Sequence, residues 1–196
     1  MKAFVTALLT VLVAGAGGIA VLLWSGVYNV AADEPHSRAV HEFLEVGRER
    51  SVAVRALDID VPDLADPELL ERGAGNYAAM CETCHLRPGL ADSELRRGLY
   101  PQPPALADAR ADSNSARDFW IIKHGLKATG MAAWGRSMDD DSIWGMVAFL
   151  RWLPDRDEGE YLAAVAASSG HSHGGVDDPM HETRSDQMHE HDDHDH

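Results

Sequence analysis

The sequence predicts an all-α fold: a membrane-spanning helix, then a domain of about three to four helices, then a disordered tail rich in histidine. Three observations predict it. An apolar run is unbroken from Ala3 to Trp24 except by Thr6 and Thr10. Mid-chain segments with recognisable caps carry apolar residues at helical spacings. The last 26 residues are almost entirely polar. A chain of 196 residues has room for one domain plus attachments. The boundaries read as 1–30 for an anchor, 31–65 for a connecting helix and linker, 66–155 for the folded domain and 156–196 for an acidic, histidine-rich tail.

The 22 residues Ala3–Trp24 would span roughly 33 Å as a helix, enough for a bilayer core of about 30 Å. A signal-peptide core is shorter, about 7–15 residues. Length therefore favours an uncleaved anchor, although Val30-Ala31-Ala32 offers a late small-residue cleavage site. Gly15, Gly17 and Gly18 would either admit a second membrane helix closely or simply be tolerated in lipid. Lys2 precedes the span, and Asp33 and Glu34 follow it, which directs everything after Trp24 to the outside.

From His36 to about Ala56, Val40, Phe43, Leu44 and Gly47 share one face, with Glu42, Glu45, Arg48 and Glu49 elsewhere. This predicts a connecting helix that packs on the domain or lies near the membrane surface. Pro62 and Pro67 then break the chain. Asp66-Pro67-Glu68 reads as a helix start, with Asp as N-cap, Pro in the first helical position and an acid in the first turn. Leu70, Ala74, Tyr77 and Cys81 follow at spacings of three and four. Residues 86–115 are rich in Pro, Gly, Asp and Ser and read as loops, a length that suits a chain wrapped around a large ligand. Ser115–Leu126 reads as a short helix ended by Gly125 or Gly130. Asp139–Asp141 place acids at the positive end of a last helix, which Pro154 stops.

A net charge of −15 repels phosphates and argues against nucleic-acid binding. The only two cysteines are Cys81 and Cys84, with His85 directly after them. In Cys-x-x-Cys-His the thiols can add to the two vinyl groups of a haem while the imidazole faces the iron. A thioredoxin-like redox pair would need a surrounding βαβ pattern, and none is visible. Five residues match by chance often enough that context must support them.

That context resembles the class I c-type cytochromes, over about Leu69 to Leu153. The helix leading into the motif reads Gly73, Tyr77, Cys81, like that family's Gly-x-x-x-aromatic-x-x-x-Cys. Pro104-Ala105-Leu106 looks like its Pro-x-Leu loop, whose proline carbonyl accepts a hydrogen bond from the ligand histidine; Pro103 or Pro101 are the alternatives. Gly130-Met131 looks like its methionine-ligand segment, with Ala132 where proline is common. Gly73 and Phe149 would sit where the first and last helices cross. The stretches Ser25–Ala32 and Gly98–Pro104 look like single-span membrane relatives.

The resemblance implies a cytochrome c-like haem domain with one covalently attached haem c. It implies Cys81 and Cys84 as thioether partners, His85 and Met131 as axial iron ligands, and Pro104 as the group orienting His85. A histidine–methionine pair fills both axial positions, which points to an electron carrier rather than an enzyme. Met138 is a weaker ligand candidate, Met146 reads as core, and His124 is a rival at a helix end. Trp120 and Trp134 read as haem-pocket walls. Lys123, Lys127 and Arg136 are charge-based candidates for the haem carboxylates. The implied setting is a bacterial cytoplasmic membrane, single-pass, with the haem domain facing the periplasm between a redox donor and acceptor.

Seven of eleven histidines lie near the carboxyl end: His171, His173, His181, His189, His191, His194 and His196, among eight acids from residue 168 onward. Such a tract can bind copper, zinc or nickel, or simply solvate. Three roles compete: an electron-transfer module, the haem subunit of a specific dehydrogenase or oxidase complex, and a metal-handling protein acting through its tail.

Overall fold

The computed structural model describes residues 1–108 and 114–171. Eight α-helices and no strands occur among them. The chain divides into two units, Met1–His36 and the remainder from Ser37. The first is dominated by α1, Lys2–Ser25, in which no residue is buried. By length and composition α1 is able to cross a bilayer. Gly26, at φ +67°, ends it in the left-handed conformation.

The second unit contains α2 (Arg38–Arg55), α3 (Pro67–Met80), α4 (Glu82–His85), α5 (Glu94–Gly98), α6 (Ser115–His124), α7 (Asp140–Trp152) and α8 (Glu158–Ala167). The starts follow local chemistry. Asp66 accepts from the Glu68 amide with Pro67 at the first helical position. Asn114 accepts from two amides of α6, and Asp139 accepts from Ser142. Each such cap satisfies an otherwise orphaned donor. Within the loop region, Ser93 caps the short helix α5, an element that the Pro- and Gly-rich composition concealed.

The most extensive helix–helix contact is between α3 and α7. It forms because Gly73 and Gly145 let the two backbones meet. A Cβ on Gly73 would fall inside the Gly145 carbonyl and 2.9 Å from the Phe149 Cβ. Phe149, Tyr77 and Leu153 fill the space beside the crossing. On the other side Phe119 stacks on Trp144, with Ile122, Met138, Ile143 and Met146 in the same cluster. Asp118 of α6 pairs with Arg151 of α7.

The tail boundary at 156 is corrected. Residues Glu158–Ala167 form α8, opened by a capping box between Asp157 and Glu160. Its Tyr161 is buried against Tyr77 and Phe149, so the apolar face is spent on the core. The Tyr161 hydroxyl donates to Glu82 Oε2 at 2.6 Å, and Arg87 pairs with Glu158 at 2.6 Å. Both tie α8 to the segment containing the cysteines. Tyr161→Phe removes a hydrogen bond to a charged acceptor and should cost about 1.5–3 kcal/mol. A lower urea midpoint at unchanged slope would report it.

Candidate functional site

Cys81 ends α3, and α4 carries Glu82 to His85 in a single turn. The amides of Cys84 and His85 both donate to the Cys81 carbonyl, so the two thiols and the imidazole are fixed relative to one another. Tyr77 secures the exit: its buried hydroxyl donates to the Leu86 carbonyl at 2.5 Å, where Leu86 sits at φ +63°. Burial raises the Tyr77 hydroxyl well above its usual range, so it stays a donor.

His85 Nδ1 lies 3.0 Å from the Pro104 carbonyl oxygen. A carbonyl only accepts, so Nδ1 carries the proton and Nε2 keeps its lone pair. Burial lowers the His85 pKa and Arg96 lowers it further, against the opposing Pro104 hydrogen bond. The ring therefore favours the neutral form, with Nε2 available to a metal. Arg96 also donates through Nε to the Pro103 carbonyl at 2.9 Å and pairs with Asp92 at 3.1 Å. It holds the proline turn against His85, a positioning role that sequence reasoning missed.

These groups face a cavity of about 520 Å³, within the usual cofactor range of about 300–1,000 Å³. Cys81, Cys84, His85, Pro104, Met131 and Trp134 all line it. Burial, and then neighbouring Cys84, push the Cys81 thiol up to about 12. Protonated at neutral pH, it is a poor thiolate for disulfide exchange. Both cysteines are free. An apolar cavity, two unpaired thiols and an imidazole with one open nitrogen suit a haem; among the described residues no group of three His, Cys, Asp or Glu side chains is arranged to hold a metal ion by itself.

Residues 68–150 match the family model described as "Cytochrome C oxidase, cbb3-type, subunit III". They form a c-type cytochrome domain. No curated protein matches the chain. A cytochrome domain implies haem c, a haem-based electron-transfer role and redox partners, and it points away from a catalytic enzyme.

Several expected residues lie apart from the cytochrome cavity. Met138 is buried in the α6–α7 core and does not line it. Met146 and Met80 do line it. His124 is exposed, its ring 4.9 Å from Trp120, and faces a separate surface depression with Lys123 and Arg136. Trp120 is likewise off the cavity wall, unlike Trp134. Lys123, Lys127 and Arg136 are not on the cavity wall, and Lys123 pairs with Asp140 at 2.6 Å. The arginine on the wall is Arg48, from α2, outside the matched segment. Charge alone identifies cations; it does not show which way a helix turns them.

Of the tail histidines, His171 lies with Nδ1 3.2 Å from Asn76 Oδ1 on α3. His173, His181, His189, His191, His194 and His196 fall outside the described residues.

Glu49 on the same wall links α2 to α6 through Arg117 at 2.6 Å. Its burial raises its pKa, but Arg117 and Arg48 together outweigh that and hold it below the usual carboxylate range. A lowered pKa contributes stability above the unfolded value of about 4.3, lost as pH falls through the folded value. Solvent screening keeps that contribution under about 1 kcal/mol. Glu49→Gln should therefore reduce stability slightly at pH 6 and flatten its fall towards pH 3, measured by urea midpoints at both pH values.

Proposed function

We propose that this chain is a membrane-tethered, mono-haem electron carrier working outside the cytoplasm. α1 is the anchor. Cys81 and Cys84 would form thioethers to the haem, His85 and Met131 would hold its iron, and Pro104 would orient His85. When bound, the haem supplies one-electron chemistry at an iron whose ligands do not change. The observation that carries the reading is the His85–Pro104 hydrogen bond on a cavity wall shared with both thiols and Met131.

The chain's own residues then have defined tasks. The Pro104 carbonyl fixes the imidazole tautomer and raises its basicity. Trp134, Ile122, Leu126 and Leu150 exclude water, which limits reorganisation around a changing charge. Met131 is favoured over the other cavity methionines by where each is carried. Met80 ends α3, five residues before His85. Met146 sits in mid-α7, buried in the packed core. Met131 comes from a separate loop held by two backbone contacts, its amide on Thr129 Oγ1 at 3.0 Å and its carbonyl accepting from Leu126 at 3.2 Å. Gly125, at φ +64°, turns α6 into that loop, and a Cβ there would meet the Met131 and Ala132 backbone at 2.7 Å.

A second reading is favoured by the wording of the matched family model, which names an oxidase subunit. In that case the same domain serves one specific membrane complex, and solubilised membranes would yield it with fixed partners. The first reading is tested by expressing the full chain with a haem-maturation system. A pigment that stays on the denatured polypeptide, in the membrane fraction after alkaline washing, is expected. Pigment lost on denaturation would refute the thioethers, and release by the wash would refute the anchor.

A further inference from the structure

α2 is amphipathic the wrong way round. A surface helix normally turns its apolar stripe to the core and its charges to water. Here His41, Arg48 and Glu49 face the haem cavity, and Val52, on the same side, is buried. The opposite face exposes Phe43 at 78%, Val46 at 62% and Val54 at 55%, and Leu57 just beyond the helix at 78%. Gly47, on that face, has open space around it. So broad an apolar surface calls for a cover.

We propose that the cover is the lipid bilayer, and that α2 lies in its interfacial layer with the Phe43 face in the acyl boundary. The inference rests on α1 being a retained span. Only residues 26–37 separate α1 from α2. Fully extended they reach about 40 Å, so the bilayer is always present at an effective concentration that no free partner attains. Composition agrees. α2 carries four arginines against three glutamates within a strongly acidic chain, and Arg50 stands within the apolar face. Its stem can lie along lipid while the guanidinium reaches a phosphate. Interfacial helices combine these features, with the apolar side about 5–10 Å into the headgroup boundary. The consequence is orientational. The cavity wall lies on the far side of α2, one helix diameter of about 10–12 Å from the lipid. Electrons would then enter or leave beside a membrane-embedded partner.

The test uses the full-length reduced holoprotein in nanodiscs of phosphatidylcholine and phosphatidylglycerol. Nitroxide labels are placed singly at Phe43→Cys, at Leu162→Cys on the exposed side of α8 and at Leu12→Cys in α1. Power-saturation EPR then compares collisions with oxygen, which concentrates in lipid, and with a water-soluble nickel chelate. Docking predicts that position 43 resembles position 12, with chelate accessibility at least about threefold below that of position 162. Chelate accessibility at 43 equal to that at 162 overturns the docking. A label at 43 shielded from both quenchers marks a protein interface and also overturns it. A lipid-like position 12 beside a water-like position 43 leaves the tether standing. A water-like position 12 refutes the tether itself.

Discussion

Replacing Gly73 with valine should be the most damaging single substitution in the domain, costing about 3 kcal/mol or more of a total expected to lie near 5–15 kcal/mol. The Cβ alone would lie 2.0 Å from the Gly145 carbonyl oxygen and 2.6 Å from its carbon, with the Phe149 Cβ next at 2.9 Å. Neither obstacle is the end of a flexible side chain, so the helices must part. Parting them withdraws Phe149 and Leu153, which are fully buried, from the Tyr77 side of the core. A side chain in place of glycine would gain up to about 1 kcal/mol of helix propensity, too little to offset that loss. Gly47→Ala is the control. It gains at least as much helix propensity, with nothing within 4 Å of the added carbon, and should be neutral or slightly stabilising. Guanidinium unfolding of the holoprotein, followed by tryptophan fluorescence, compares the two. An unchanged Gly73→Val midpoint would mean that α3 and α7 do not cross as described.

Gly73 illustrates what sequence could reveal. Its spacing to Tyr77 and Cys81 placed it on one helix face, and the family resemblance paired it with Phe149, while its actual obstacle, Gly145, carried no signal of its own. Helix starts were legible because they are local: the Asp66 cap and the Asp139–Asp141 acids act within the first turn. α8 was overlooked for the converse reason. Its only fully buried residue is Tyr161, and its small alanines merge into the polar stretch that follows. The Asp157–Glu160 spacing was the available clue. α2 shows a harder limit. Periodicity separates two faces but does not say which one turns inward, and here the charged face does. Cavity residues from distant segments, such as Arg48 and Arg96, are a product of tertiary packing and were not readable from spacing.

Met131→Ala should leave the fold intact and change the electronic properties of the haem site sharply. The loop keeps its shape without the side chain, since Thr129 and Leu126 grip only the Met131 backbone. What disappears is the thioether. Methionine favours the ferrous state relative to harder ligands, so the midpoint potential should fall by on the order of 0.1 V, within the roughly 0.8 V range set by axial ligands. The vacated position should also admit carbon monoxide to the reduced protein, seen as a shifted Soret band that the parent lacks. Met138→Leu is the matched control. Met138 is buried in the core away from the cavity, so a volume-conserving change costs less than about 1.5 kcal/mol and leaves potential and spectrum alone. If Met131→Ala keeps the parental potential and refuses carbon monoxide, the sixth ligand comes from elsewhere, and Met146 and Met80 become the residues to replace next.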